Sequence, residues 1–365
     1  MFHREYLDRL VQQICKAGLD AMLVAPSEDL LFLTGHVPIF CERFQGLFVT
    51  AGGEYFYVCN LLTKEEMEAV LPNHKVYAWF DGEGHVDVTC AALEENGLVG
   101  KRIGVNSTVR AYNILEISEK ADVTWVSARY LCQETRILKS DAEIEGMRGA
   151  AKIAEDALAA TLPQVHAGMK EADVKQILIQ NMLDRGGLNP RALVASGPNG
   201  GYPHYNLGLR TLEKGDAIVI DFSCEYMLVR TDITRTVFLG EPTAKQRAVY
   251  DLVRKANEAA EAIVAAGVWI PDIDAAARKV IEEGGYGPQF TTRLGHGIGY
   301  LGHEAPDIKA NNLRHLEPRM SFTIEPGIYL GGEFGVRIED CVLVTPEGKA
   351  EILHHFTKDY IILDV

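Results

Sequence analysis

Apolar runs and helical periods alternate through the first third of the chain. A helical period covers Tyr6 to Ala17 and leads into the apolar run DAMLVAP, after which GLFVT and YFYVC face each other across a turn at Ala51 to Glu54. KVYAWF, RIGVN and DVTWVS then recur between amphipathic stretches. Short β-rich runs separated by helical periods predict an α/β domain. At RILKSDAEIEGMRGAAKIAEDALAATL the pattern restarts, because Ser140 and Glu143 have capping-box spacing and a long helical period follows. The expected division is residues 1–133 and 134–365, with the boundary region running to about residue 140.

The second part shows the same order of elements twice. Helices are expected at about 141–160 and 171–185, followed by strands GDAIVIDF and RTDITRTVFL. Helices at about 243–266 and 273–283 then precede MSFTIEPGIYL and GVRIEDCVLV. Architecture repeats while sequence does not, which predicts an α+β domain with an internal pseudo-two-fold repeat.

Each half carries a pair of acids on its hairpin. A tip at Tyr226 and Met227 sets Asp221 opposite Asp232, and a tip at Gly331 to Glu333 sets Glu325 opposite Glu339. Like charges directly opposed on one sheet face are destabilising, so two such pairs call for a cation. Tyr-Met is a poor primed turn and the Gly-Gly tip a good one, so the second register is the firmer. A single acidic pair would pass as an accident on a solvated face. Two pairs, one of them at the end of the continuously apolar AIVID, would carry a large desolvation cost without compensation. Oxygen ligands in this number suit Mn, Mg or Ca, and an added imidazole shifts the choice toward Mn, Co, Fe or Zn.

That imidazole is available in RLGHGIGYLGHEAP, where His296 lies between glycines and His303 follows in the same loop. A third candidate is His204 in SGPNGGYPHYNLG. GIGYLG also matches G-x-G-x-x-G, which would make the protein a dinucleotide-binding oxidoreductase. Its context fails, because no buried strand precedes it and Pro306 opposes the helix that would hold a pyrophosphate.

Composition narrows the class. The chain has 365 residues, 47% hydrophobic and 24% charged, as in globular proteins of two or three domains. Its net charge of -15 repels phosphate backbones and anionic lipid, so neither nucleic acid nor a membrane is an expected partner. Seven scattered cysteines without a C-x-x-C pair read as reduced thiols. The segment MFHREYLDRL is too charged for a signal peptide, and no window offers ~18 uncharged apolar residues. A cytoplasmic protein without a membrane span is expected.

Taken together, SGPNGGYPHY, IDFSCEYMLVRTDITRTV, GHGIG with HEAP, TIEPGIY and GVRIED resemble the creatinase and Xaa-Pro peptidase family. The motifs span about residues 140–360, and the first domain is similar to that family's N-terminal domain. The resemblance implies a pita-bread catalytic domain and two divalent metal ions per chain, with Mn favoured over Co or Zn. It makes Asp221, Asp232, His296, Glu325 and Glu339 the ligands, with Asp232 and Glu339 bridging. Glu325 is then also the proton shuttle, and His204 and His303 contact the substrate and the transition state.

Arg337 matches the family's arginine beside the last glutamate. Hairpin register puts it opposite Gly327, where it serves either in substrate contact or in a charge-neutralising ion pair. The implied reaction is hydrolysis of the bond between an N-terminal residue and proline, in small peptides with proline second. The expected protein is an Xaa-Pro dipeptidase working as a homodimer, the alternative an Xaa-Pro aminopeptidase acting on longer peptides. A creatinase-like amidinohydrolase or a non-catalytic peptide-binding module would be expected to have lost ligands. Two departures bear on substrate length. Ser223 replaces a common glycine, and Val229-Arg230-Thr231 precedes the second aspartate. The expected register pairs Ser223 with Arg230 and so offers a cation to a free proline carboxylate, with Arg43 in the first domain as another.

Overall fold

The computed structural model describes residues 4–71 and 73–364. They form two compact units, Met1–Arg136 and Ile137–Val365. The first contains, in chain order, α1 (Arg4–Lys16), β1 (Ala21–Val24), α2 (Glu28–Thr34), β2 (Gly46–Thr50), β3 (Tyr55–Asn60) and α3 (Leu61–Val70). There follow β4 (Val76–Trp79), α4 (Val86–Glu95), β5 (Arg102–Val105), α5 (Ala111–Ser118), β6 (Thr124–Ser127) and α6 (Arg129–Arg136). The six strands form one mixed sheet in the order β4-β3-β2-β1-β5-β6. Only the β1-β2-β3 meander is antiparallel, and the remaining pairs are parallel. Leu23, Phe48, Phe56, Val58, Ile103 and Ile117 fill the core on one face of this sheet.

The second unit begins with α7 (Asp141–Thr161), α8 (Glu171–Asp184), β7 (Leu188–Ser196), β8 (Ala217–Tyr226), β9 (Val229–Arg230) and β10 (Ile233–Leu239). The next elements are α9 (Ala244–Glu261), α10 (Ile270–Glu283), β11 (Gly295–Gly297), β12 (Glu304–Ile308) and β13 (Ser321–Ile324). The chain continues through β14 (Gly327–Leu330), β15 (Phe334–Arg337), β16 (Asp340–Val344), β17 (Ala350–Ile352) and β18 (Ile361–Leu363). Both halves open on a capping box. Ser140 and Glu143 bond each other's backbone N–H at α7, and Thr243 and Gln246 do the same at α9.

The repeat is visible in the sheets. One runs β18-β10-β8-β7 and the other β12-β11-β13-β16-β17, so in each a strand, then a hairpin's two arms, lie side by side. Strand alternation decides what each face does. Ile218, Ile220 and Phe222 of β8 pack with Ala154, Leu158, Leu178 and Met182 of α7 and α8. That directs Asp221 to the opposite face. In the other half Phe322, Ile324, Ile338 and Val342 pack with Val249, Val253, Ile273 and Ala277 of α9 and α10. An isolated bridge between Thr234 and Glu339 joins the two halves at the middle.

The hairpin registers differ from expectation in one case. The second matches: Gly327 pairs with Arg337 and Ile324 with Asp340, which leaves Glu325 and Glu339 facing each other in the break between the two ladders. In the first, Tyr226 pairs with Val229 and Asp221 with Thr234, so the tip is Met227 and Leu228. These two residues have φ of 52° and 69°, the left-handed pair of a type I′ turn built without glycine. The shift is two residues, so Asp221 and Asp232 keep a common face but lie diagonally.

Candidate active site

Five side chains converge where the two hairpins break. Donor atoms of Asp232, His296 and Glu339 lie within 4.8 Å of one another. His296 Nε2 lies 3.2 Å from Glu325 Oε1, and the Asp221 charge is felt by both Asp232 and Glu339. Glycines make this approach feasible, because a Cβ on Gly295 or Gly297 would collide with the backbone of Thr323 or Ala305. The His296 N–H donates to Thr323 Oγ1 (3.1 Å), and its Nδ1 faces the Gly297 carbonyl at 3.1 Å. A carbonyl only accepts, so Nδ1 carries a proton; Nε2 faces Glu325, donating to its carboxylate when the ring is protonated and offering a lone pair to a cation when it is not.

Electrostatics show what the cluster is suited to hold. Burial, reinforced by the other carboxylates, holds Asp232 and Glu339 well above the usual carboxylate range. Burial would raise Glu325 too, but the His296 hydrogen bond and the Arg337 and Arg293 charges keep it low. Burial opposes protonation of His296, and Glu325 and Asp232 outweigh it to raise its pKa. Crowded carboxylates that resist ionisation, beside an imidazole whose Nε2 faces them, form a donor set suited to divalent cations.

Supporting residues hold the donors in place. Thr234 Oγ1 donates to Glu339 Oε2 (2.5 Å) and accepts from Arg337 Nε (3.0 Å). Arg337 is buried, bonds Asp221, and donates to the Tyr329 hydroxyl (2.9 Å) and the Pro203 carbonyl (3.3 Å). The space above Gly327 is occupied by the Tyr329 hydroxyl. Of the two readings of Arg337, the geometry therefore favours the ion pair over substrate contact. Cys341 brackets Asp232, accepting from its N–H (3.3 Å) and donating to its carbonyl (3.2 Å).

Beneath Glu339, Arg235 donates to the Glu339 carbonyl (2.7 Å) and to Asp340 (2.7 Å), and Lys358 joins Asp340 (2.9 Å) to Glu261 (2.6 Å). Burial and then the Asp340 charge push Glu261 up to about 7, despite Lys358. Its folded pKa thus lies above its unfolded one, so it favours the fold below about pH 4.5 and loses that contribution as pH rises through 7. Urea midpoints should show wild-type stability falling by about 2 kcal/mol relative to Glu261→Gln between pH 5 and pH 8. A pH-independent difference would contradict this.

The loop histidines sit at the open side. His303 is exposed, and its ring centroid lies 3.9 Å from that of His296 with the two planes tilted by 44°. Partial desolvation of the ring against the loop, then the His296 and Arg293 charges, lower its pKa to about 4. His204 is exposed and close enough for its charge to act on His303. Its loop is anchored by the Gly197–Gly201 turn, where a Cβ on Gly335 would strike the Gly200 carbonyl and Asn199 bonds Glu171 (3.0 Å).

The expected Ser223–Arg230 pairing is corrected. Arg230 pairs with Glu225, not opposite Ser223, and is ion-paired to it and buried. Ser223 pairs instead with Arg191. Arg43 makes a bidentate pair with Asp81 (2.9 and 2.8 Å) and a further bond to Glu42 (3.0 Å). Sequence reasoning missed Arg293, the cation whose charge reaches His296, His303 and Glu325. Its position three residues before His296 was the available signal. Residues 298–303 form no helix, and a strand follows at Glu304, which removes the dinucleotide reading.

Comparison with known proteins agrees with this geometry. The profile of metallopeptidase family M24 matches residues 145–346, and that of the creatinase/prolidase N-terminal domain matches residues 7–138. The chain belongs to metallopeptidase family M24; it is a peptidase with the family's pita-bread catalytic unit, and the family's chemistry uses divalent metal ions. It is 33% identical to the putative dipeptidase YkvY of Bacillus subtilis, over 98% of this chain and 99% of that one. Among solved structures it is similar to a prolidase from Thermococcus sibiricus, with 30% identity, TM-score 0.94 and full coverage of both chains. An X-Pro aminopeptidase from Thermotoga maritima also matches, at 30% identity and TM-score 0.84 over the full length of both. Among the described residues no helix is long and apolar enough to cross a membrane.

Proposed function

We propose that this protein hydrolyses the bond between an N-terminal residue and proline in dipeptides. Two divalent ions, manganese ahead of cobalt or zinc, would be held by Asp221, Asp232, His296, Glu325 and Glu339. The observation that carries the reading is the cluster of half-buried Asp232 with buried His296 and Glu339, surrounded by Asp221 and Glu325 and flanked on its open side by two histidines. When bound, the ions supply Lewis acidity and a nucleophilic water near neutral pH.

The chain's own groups do the rest. Neutral His303 donates an N–H to the oxygen on which charge develops as the carbonyl is attacked. Glu325, held ionised, takes the proton of the attacking water and delivers it to the leaving proline nitrogen. His204 positions the substrate at the rim. Arg337 orients Asp221 through their ion pair, with Thr234 linking it to Glu339. A bond before proline is a tertiary amide without an N–H, so sites that grip extended backbone by that donor fail on it and a dedicated site is required.

Dipeptide preference rests on the names of similar dipeptidases and on Arg293, whose charge reaches the open side of the cluster. Arg293→Ala should lower kcat/KM for Ala-Pro about ten- to hundredfold and affect Ala-Pro-amide less, because a charge-assisted contact to carboxylate contributes about 1.5–3 kcal/mol. Equal effects on acid and amide, or faster cleavage of Ala-Pro-Ala by wild type, would move the assignment to an aminopeptidase. A homodimer in the cytoplasm completes the proposal, the first from the family resemblance, the second from seven free thiols. Sedimentation of the purified protein tests the former.

A further inference from the structure

Glu304 follows His303 and opens β12. Its side chain is 1% exposed and that of Lys139 is 0% exposed, with Lys139 Nζ 2.5 Å from Glu304 Oε1. The other carboxylate oxygen accepts the Leu301 N–H (3.3 Å). Lys139 is tied down at its backbone, since its N–H donates to the Arg319 carbonyl (2.8 Å) and its carbonyl accepts from Arg319 Nη1 (3.0 Å). Gly299 closes the arrangement. A Cβ there would stand 2.6 Å from Glu304 Oε1 and 2.8 Å from Lys139 Nζ. Its carbonyl accepts the Arg230 N–H (2.8 Å), which joins the loop to the hairpin that carries Asp232.

Stability alone is a weak reason for such a pair. Desolvation offsets most of the Coulomb attraction, and apolar residues of similar volume often serve the fold as well or better. Apolar residues cannot hold the Leu301 amide with a charge-assisted bond. That bond fixes the loop 298–303 two residues before the imidazole it presents.

We propose that the buried Lys139–Glu304 pair is a positioning device for His303, which sets turnover and not metal content. The inference rests on the reading of His303 as the group acting on the substrate carbonyl, so His303→Ala is run alongside. The test compares full-length, manganese-reloaded variants on Ala-Pro and Ala-Ala, using whichever wild type turns over. Lys139→Met combined with Glu304→Leu should keep Tm and bound metal near wild type, while kcat falls about 10- to 100-fold with KM little changed, as expected for a displacement near 1 Å. Lys139→Met combined with Glu304→Gln keeps an acceptor for Leu301 and should recover most of that loss.

Wild-type kcat in the folded Met/Leu protein, or a fall in kcat matched by a fall in Tm, overturns the proposal. If His303→Ala itself keeps kcat, the reading of His303 fails and the proposal with it. If His303→Ala loses kcat and Met/Leu does not, the positioning inference alone fails. Should Met/Leu not fold, Gly299→Ala makes the same test, because its methyl displaces the carboxylate without removing it.

Discussion

Asp232→Asn should leave a folded protein that neither holds metal nor hydrolyses peptide. Asp232 is one of three residues whose donors share a 4.8 Å cluster, and it is one of the five proposed ligands. Losing the Lewis acid forfeits several kcal/mol of transition-state stabilisation, so kcat/KM should fall by at least about 10³. Stability gives a second readout. Metal that binds only the folded state at about 100 times its Kd adds ~2.7 kcal/mol, roughly 5–10 °C for a unit of this size. Wild type should show that rise and the variant should not.

The metal-free proteins should differ in pH dependence as well. The Asp232 carboxyl has a folded pKa raised by burial and by Asp221. The folded state therefore retains a proton that the unfolded chain releases above about pH 4, and metal-free wild type loses stability as pH rises through the folded pKa. An asparagine does not titrate, so the metal-free variant should lose less. Full metal content in Asp232→Asn would remove it from the ligand set.

His303→Ala should do the opposite to metal and rate. His303 lies at the rim, its ring tilted against that of His296, and is not one of the five proposed ligands, so metal content and Tm should stay near wild type. Its lowered pKa, about 4, leaves a neutral ring whose N–H can serve a developing oxyanion. Loss of one such donor costs about 10² to 10³ in kcat. A variant that lost metal with little direct effect on rate would show that His303 is a ligand and that the assignment of the two loop histidines is reversed.

Much of this site was legible because glycine and charge mark it. Gly331 and Gly332 announce the second hairpin, and its register put Glu325, Glu339, Gly327 and Arg337 where the structure has them. The first hairpin turns at Met227 and Leu228, both left-handed and neither a residue that signals a turn. The two-residue error preserved the face of every side chain, so Asp221 and Asp232 stayed together, while Arg230 moved from Ser223 to Glu225. Parity survives an even slip; pairing does not.

Residues that bond through backbone or across distant strands left no pattern to read. Cys341 reaches Asp232 across 109 positions, and Lys139 reaches Glu304 across 165. Strand β7 was missed because LNPRALVAS contains Pro190 and Arg191, which argue against a central strand. It is an edge strand of its sheet, where proline is tolerated.

The most direct test of metal-dependent cleavage before proline is a titration. Metal-stripped wild-type protein receives manganese in measured equivalents while hydrolysis of Ala-Pro and Ala-Ala is followed. Activity should rise from background, saturate near two equivalents per chain, and favour Ala-Pro at every point. Full activity before any metal is added, or equal cleavage of the two dipeptides at saturation, would contradict the account.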